Sequence, residues 1–326
     1  MRAGGLPDTN QVSTEPLSNK VPVTSLDRAS LYAPTTRAKA LFRKIEPYLY
    51  LLPALLLVGG LLLYSVAHTL AISFTDWDLI TPPSFVGLQN YVDAIRDPTF
   101  TRSFSNTLIW TGGSLLLPVG GGLLLAVILE RIPGQRVLKT LIYLPAILST
   151  TVVAAIWSYV YTNNGVLNET LRWVGLDALA RPWLVFAPTN TLAMIAAASW
   201  RALGPSMVLF LVGLQTIPPE LIEAAKIDGA GERLLFWRIK LPLLRPITAI
   251  VVIMSVIGSF MTFDLVWVMT QGGPGRSSET LAVTMYRQAF IMWRMGYAGA
   301  VAVILSAIVI AFSIFYLRAT LKRSAI

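Results

Sequence analysis

Residues 217 to 246, IPPELIEAAKIDGAGERLLFWRIKLPLLRP, form a polar stretch set between two long apolar runs. Pro218 and Pro219 suit the first turn of a helix, where a missing amide has no intrahelical partner to lose. Glu220 and Glu223 then sit near that helix's positive end. Leu221, Ile222 and Ala225 give it an apolar side, and Gly229 can end it in a left-handed conformation that other residues resist. A second short helix is expected, with Leu234, Trp237 and Leu241 on one side, Leu235 and Ile239 beside them, and Pro242 as its stop. The stretch reads as helix, sharp turn, helix.

The runs on either side, Thr191–Gln215 and Ile247–Met269, are joined by four more, at Tyr48–Ser73, Thr107–Leu129, Leu141–Tyr161 and Ala298–Leu317. Each is long enough to cross a hydrocarbon layer of about 30 Å as a helix. The composition agrees: 55% of the 326 residues are hydrophobic and 13% are charged, with a mean hydropathy of +0.64. An all-α integral membrane protein of six transmembrane helices follows. The absence of Cys excludes disulfides and thiolate metal sites.

A formal charge of +9 would suit a nucleic-acid partner, but the basic residues cluster on alternate loops, which points to a lipid bilayer instead. Eighteen Lys and Arg lie on the side of the N-terminal tail, the second and fourth loops and the C-terminal end, against seven on the other. The positive-inside rule then places both termini and the Glu223 loop in the cytoplasm. Residues 1–45 read as a basic, disordered tail and residues 46–320 as the six-helix domain with its loop at 217–246. Residues 321–326 make a short cytoplasmic C-terminus.

The first external loop, Ser73 to Phe100, keeps Trp77, Phe85 and Tyr91 and is expected to be ordered against the membrane surface. Its acids Asp76, Asp78, Asp93 and Asp97 are candidates for salt bridges to a docking partner. Gly112-Gly113, Pro118 and Gly120-Gly121-Gly122 in the second span favour close helix packing, with a hinge as the alternative. Trp157, Tyr159 and Tyr161 at the end of the third span suit an interfacial aromatic belt. Glu279 to Trp293 has a helical pattern suited to the outer interface before the last span.

Ionisable groups interrupt the spans only at His68, Arg201 and Asp264. A lone His cannot build a metal site, and His68 reads as a helix-packing residue. Trp200-Arg201 falls near the middle of the fourth span, and Asp264, flanked by Phe263 and Trp267, lies in the fifth. Counted from the outer ends, Arg201 is about 15 Å deep and Asp264 about 9 Å. Two roles are open. Asp264 and Arg201 could form an ion pair between helices, or face a water-filled cavity in which Trp200, Phe263 or Trp267 stacks on a sugar while the charges meet its hydroxyls.

Glu223-Ala224-Ala225, three residues, Gly229, nine residues, Ile239, one residue and Leu241-Pro242 resembles the complete EAA loop of binding-protein-dependent ABC-importer permeases. Asp228 and Ala230 extend it to the DGA form of that loop. Val86 to Tyr91, VGLQNY, resembles the matching loop of sugar-importer permeases. Phe263-Asp264 followed by Thr270-Gln271-Gly272-Gly273-Pro274 resembles the FD…TxGGP pattern of one partner in the paired carbohydrate permeases of the maltose and glycerol-phosphate type. The resemblance runs from about Tyr48 to Leu317.

That resemblance implies a permease subunit in a bacterial or archaeal plasma (inner) membrane. It would pair with a second homologous permease above two ATPase subunits, and an extracellular or periplasmic solute-binding protein would deliver a sugar or sugar derivative. It also implies that the loop, through Glu223, Ala224, Ala225, Asp228, Gly229, Ala230, Ile239, Leu241 and Pro242, docks into a cleft on the ATPase. No GxxxxGK[ST] phosphate loop is present, so the chain is not expected to be an enzyme or to hold a cofactor, and ATP and Mg would belong to the partner. The alternative class, an ion-coupled secondary transporter, usually carries several intramembrane acids, where this chain offers Asp264. A membrane-bound enzyme would need paired carboxylates or a metal-binding cluster, and the sequence offers neither.

Overall fold

The computed structural model describes residues 37 to 130 and 132 to 324. Of the tail expected to be disordered over residues 1–45, residues 1–36 lie outside the described residues, as do Arg131 of the second loop and the last two residues, whereas residues 37–45 are helical. The chain divides into two compact units, one ending at Leu63 and the other starting at Tyr64. In the first, α1 (Arg37–Val58) runs into a π turn at Gly59–Leu63. It therefore begins before the span expected from Tyr48.

The second unit opens with α2 (Tyr64–Ile72), followed by a two-stranded antiparallel ribbon, β1 (Thr75–Asp76) and β2 (Ser84–Phe85), and by α3 (Gln89–Arg96). The first loop is ordered, as its apolar content suggests. The Asn90 amide donates to the carbonyls of Ser73 and Thr75 at 2.9 and 2.8 Å, and Met295 N–H donates to the Trp77 carbonyl. Three of its four acids are engaged locally. Asp78 accepts from Ile80 and Thr81, Asp93 accepts from Gln89, and Asp97 caps the next helix at Thr99 while accepting from the Tyr297 hydroxyl. Burial pushes the Asp97 carboxyl up, but hydrogen bonds from the Thr99 amide, the Tyr297 hydroxyl and the Thr99 side chain, with the Arg276 charge, outweigh it and hold it below the ordinary value.

Among the described residues, four helices are long and apolar enough to cross a membrane, or six if each of two bent pairs counts as one span. The second span is α4 (Pro98–Leu129), which widens to a π turn over Leu115–Gly121 around Pro118. Its glycines give close packing: a Cβ on Gly122 would lie 2.7 Å from Ser206 Cβ and 3.0 Å from the Met207 amide. The partner is α8 (Thr189–Gln215), the fourth span.

The third span is broken rather than straight. Helix α5 (Gln135–Tyr143) passes through a 3-10 turn at Leu144–Ile147 and meets α6 (Thr150–Val160) at 99°. Pro145 cannot donate within a longer helix, and Ser149 caps the new one by accepting from Val152 N–H. Helix α7 (Val166–Trp173) follows before α8.

After α8 come α9 (Pro219–Ile227) and α10 (Glu232–Leu243), which meets α11 (Arg245–Phe260) at a 68° bend. The fifth span ends at Phe260. Met261 to Phe263 leave the helix, and Asp264 starts the short α12 (Asp264–Thr270) instead of sitting inside a continuous span. The helix expected in the outer interface, α13 (Leu281–Phe290), is largely buried against α4 and the last span, α14 (Met295–Ser324).

Two apolar clusters are strung along α8. Near its start, Met194 and Ile195 pack with Trp110, Val153, Leu265 and Val266. Near its end, Met207, Phe210 and Leu214 pack with Ala126, Leu129, Leu244 and Val251. A 27-residue helix is about 40 Å long, so α8 separates two distinct ends of the unit.

Candidate functional site

The loop that follows α8 is built as its sequence suggests. Pro218 precedes α9 and Pro219 is its first residue. Gly229 takes φ +82°, which lets Ala230 N–H reach the Ala225 carbonyl at 2.9 Å and Gly229 N–H the Lys226 carbonyl at 3.0 Å. This paired closure satisfies carbonyls left open at the helix end. Ile222 packs against the cluster at the foot of α8, while Glu223, Ala224 and Asp228 are exposed and Ile227 is 86% exposed. Ala225 and Ala230 are half-buried.

Pro242 does not stop the second helix. Residues Phe236–Lys240 widen to a π turn in which Leu241 N–H donates to the Phe236 carbonyl, and the helix carries Pro242 within its final turn. The widening also rotates the faces. Leu235 and Lys240 are buried, Leu234 and Trp237 are exposed, and Ile239, Leu241 and Pro242 are half-buried.

Midway along α8 lies a cavity of about 420 Å³. Its wall includes Trp110, Ser114 and Pro118 of α4, Arg201 and Ser206 of α8, Ser255 and Ser259 of α11, and Phe263 and Asp264. Arg201 Nε donates to the Leu148 carbonyl at 2.9 Å, closing the break between α5 and α6. Asp264 is exposed to the cavity. Among the described residues the ion pairs lie elsewhere, and Arg201 and Asp264 are not joined. The structural pair considered from the sequence is not formed.

The aromatic candidates divide. Phe263 reaches the cavity wall, but Trp200 and Trp267 are not among its lining residues. Trp200 stands edge-on to Trp157 at 5.8 Å, and Trp267 stacks on Phe263 at 5.6 Å with the Arg287 guanidinium over its ring. Nor do the residues closing the third span form a belt. Tyr161 is buried with its hydroxyl donating to the Ala193 carbonyl, Trp157 packs on it, and only Tyr159 of the three is exposed. His68 lies between Tyr64 and Trp77 in ring contacts.

At the far end of α8 from the Glu223 loop, Gln271 to Thr280 form a strap. Asn190 donates to the Gly273 carbonyl and the Ser277 hydroxyl, and Asn106 to the carbonyls of Ser277 and Glu279. The fully buried Glu279 carboxylate accepts from the Thr284 hydroxyl and faces Arg287 at 3.5 Å. Neither this acid nor the Glu130–Lys240 ion pair at the other end, 2.6 Å long, stands out in the sequence, because each partner becomes a neighbour only on folding.

Residues 119–325 match the model of a family described as the binding-protein-dependent transport system inner membrane component. The chain is 35% identical over 281 residues to the probable ABC transporter permease protein YurN of Bacillus subtilis, covering 84% of this chain and 96% of that protein. It is 33% identical over 283 residues to the arabinooligosaccharides transport system permease protein AraP of the same organism, covering 85% and 88%. The osmoprotective compounds uptake permease protein GgtC of Synechocystis is 33% identical over 269 residues, covering 80% and 94%. Among solved structures, a bacterial ABC transporter involved in the import of the acidic polysaccharide alginate shares the fold. The TM-score is 0.76 at 23% identity, covering 87% of this chain and 99% of that one. These matches set aside the ion-coupled alternative: the chain belongs to the family of inner membrane components of binding-protein-dependent transport systems, the permeases of ABC importers.

Proposed function

We propose that this permease passes a sugar or sugar derivative through the cavity beside α8, driven by a separate ATPase that docks on the Glu223 loop. The observation that carries the docking role is that α9 stands exposed at the foot of the helix that walls the cavity. Glu223, Ala224, Ala225, Asp228, Gly229 and Ala230 form the contact surface, and Ile239, Leu241 and Pro242 hold the second helix beneath it. ATP and Mg belong to the partner, in two copies. A second, similar permease completes the path, and an external solute-binding protein delivers the solute. Both termini and the Glu223 loop face the cytoplasm, as the distribution of Lys and Arg suggests. ATP-driven closure of the ATPase pair displaces α9, and contacts that differ between the two states shift the permease between them.

The cavity supports a polyhydroxylated solute. Ser114, Ser206 and Ser255 offer hydroxyls, Arg201 and Asp264 offer charged donors and acceptors, and Phe263 offers an apolar face for C–H surfaces. The names of relatives that carry arabinooligosaccharides and of a transporter that imports alginate point the same way.

The test is purification of the tagged chain from its native membranes, as wild type and as Glu223→Lys. The wild type is expected to bring an ATPase and a second permease, and the variant to lose the ATPase alone. A wild-type complex without any ATPase in several mild detergents would overturn the docking role.

A further inference from the structure

Lys240 and Glu130 join two parts of the chain 110 residues apart, with Nζ and Oε2 at 2.6 Å. The Lys240 side chain is 7% exposed and that of Glu130 31%. Lys240 lies in the π turn of the second loop helix, one residue before the Leu241-Pro242 of the motif. Glu130 caps the C-terminal end of α4, where a carboxylate meets the negative end of the helix dipole and is unfavourable by itself. A buried ion pair gains little stability over apolar side chains of similar size, so its worth lies in fixing one geometry. Here the geometry fixed is that of the loop against the helix that walls the cavity.

The surroundings make this contact a lever. Below Pro118, α4 is held against α8 by the close approach of Gly121 to Leu203 and of Gly122 to Ser206 and Met207. Above that point, Ser114 and Trp110 line the cavity. The π turn Leu115–Gly121, whose last residue belongs to that close approach, joins the two halves of α4. A push on Glu130 therefore reaches the cavity wall through a single helix.

We propose that the Lys240–Glu130 pair is the positioning contact that transmits displacement of the Glu223 loop to the cavity-lining half of α4. The proposal rests on the ATPase-docking role of that loop. Its chemistry is that of a charged link. Either single neutralisation breaks it while leaving α9, and so ATPase docking, untouched, and exchange of the two charges remakes it.

The chain has no Cys of its own, so spin labels can be placed at Ser114→Cys on α4 and Ser255→Cys on α11, on two walls of the cavity. The label-to-label distance is measured in the purified complex before and after trapping with ATP and vanadate, alongside the amount of ATPase bound. In the otherwise native pair the distance shifts on trapping. Glu130→Gln and Lys240→Met are expected to keep the ATPase and lose at least half of that shift, and the exchange Glu130→Lys with Lys240→Glu to restore it. Glu130→Gln keeps the side-chain shape and serves if Lys240→Met lowers abundance. A full shift in the single variants, or no recovery in the exchanged pair, would overturn the link. A complex that lacks an ATPase or shows no shift before any charge is changed would instead overturn the docking role beneath it.

Discussion

Arg201 reaches across to the Leu148 carbonyl with Nε, and Asp264 opens α12 on another part of the cavity wall. Their separation makes opposite predictions for two variants. Arg201→Met removes a charge-assisted bond from a half-buried break and should destabilise the purified chain by roughly 2 kcal/mol. Asp264→Asn removes no internal bond given by the structure and should change stability by less than about 0.5 kcal/mol, while weakening uptake of neutral oligosaccharides by proteoliposomes. Thermal unfolding in detergent and an uptake panel check both. Equal destabilisation by the two variants would return them to a structural pair and remove Asp264 from the solute path. The residue types at 201 and 264 were legible as functional candidates, since charge at bilayer depth is costly. Their partners were not, because the Leu148 carbonyl is freed only by the break in the third span.

Helices α4 and α8 carry the packing on which the cavity depends. Gly122 faces Ser206 and the Met207 amide within 3.0 Å of an added Cβ, whereas Gly112 faces nothing within 4 Å. Gly122→Val should therefore cost roughly 1 to 3 kcal/mol by overpacking, and Gly112→Ala should stay within about 0.5 kcal/mol of wild type, both read by thermal unfolding. Comparable losses at the two positions would mean that the glycines act through backbone freedom instead of close approach. The cluster of Gly and Pro announced close packing in the sequence. Which glycine does the packing is set by the phase of α4 against α8, and that phase is shifted by the π turn over Leu115–Gly121. Pro242 shows the same effect: its helix-stopping tendency is absorbed by the π turn before it.

Across the whole chain, orientation is the property that the distribution of charge suggests and that single cysteines can test. Arg136 and Pro274 are both exposed, in the second loop and in the strap. With Arg136→Cys and Pro274→Cys made separately, a membrane-impermeant maleimide should label position 274 in intact cells and position 136 only in inverted vesicles. The reverse pattern would put the Glu223 loop outside and away from any cytoplasmic ATPase. The sequence by itself determined the membrane class, the all-helical fold and the loop with its turn at Gly229. Each of these depends on apolar length or on local backbone chemistry, which neighbours in the chain supply. Tertiary structure decided that the third and fifth spans break, that α13 is buried and not laid on a surface, and that Tyr161 joins the core. It also placed Lys240 on Glu130 and kept Arg201 apart from Asp264. An apolar face looks the same in sequence whether lipid or protein will cover it, and a polar group's partner can lie a hundred residues away, so only the folded chain assigns either.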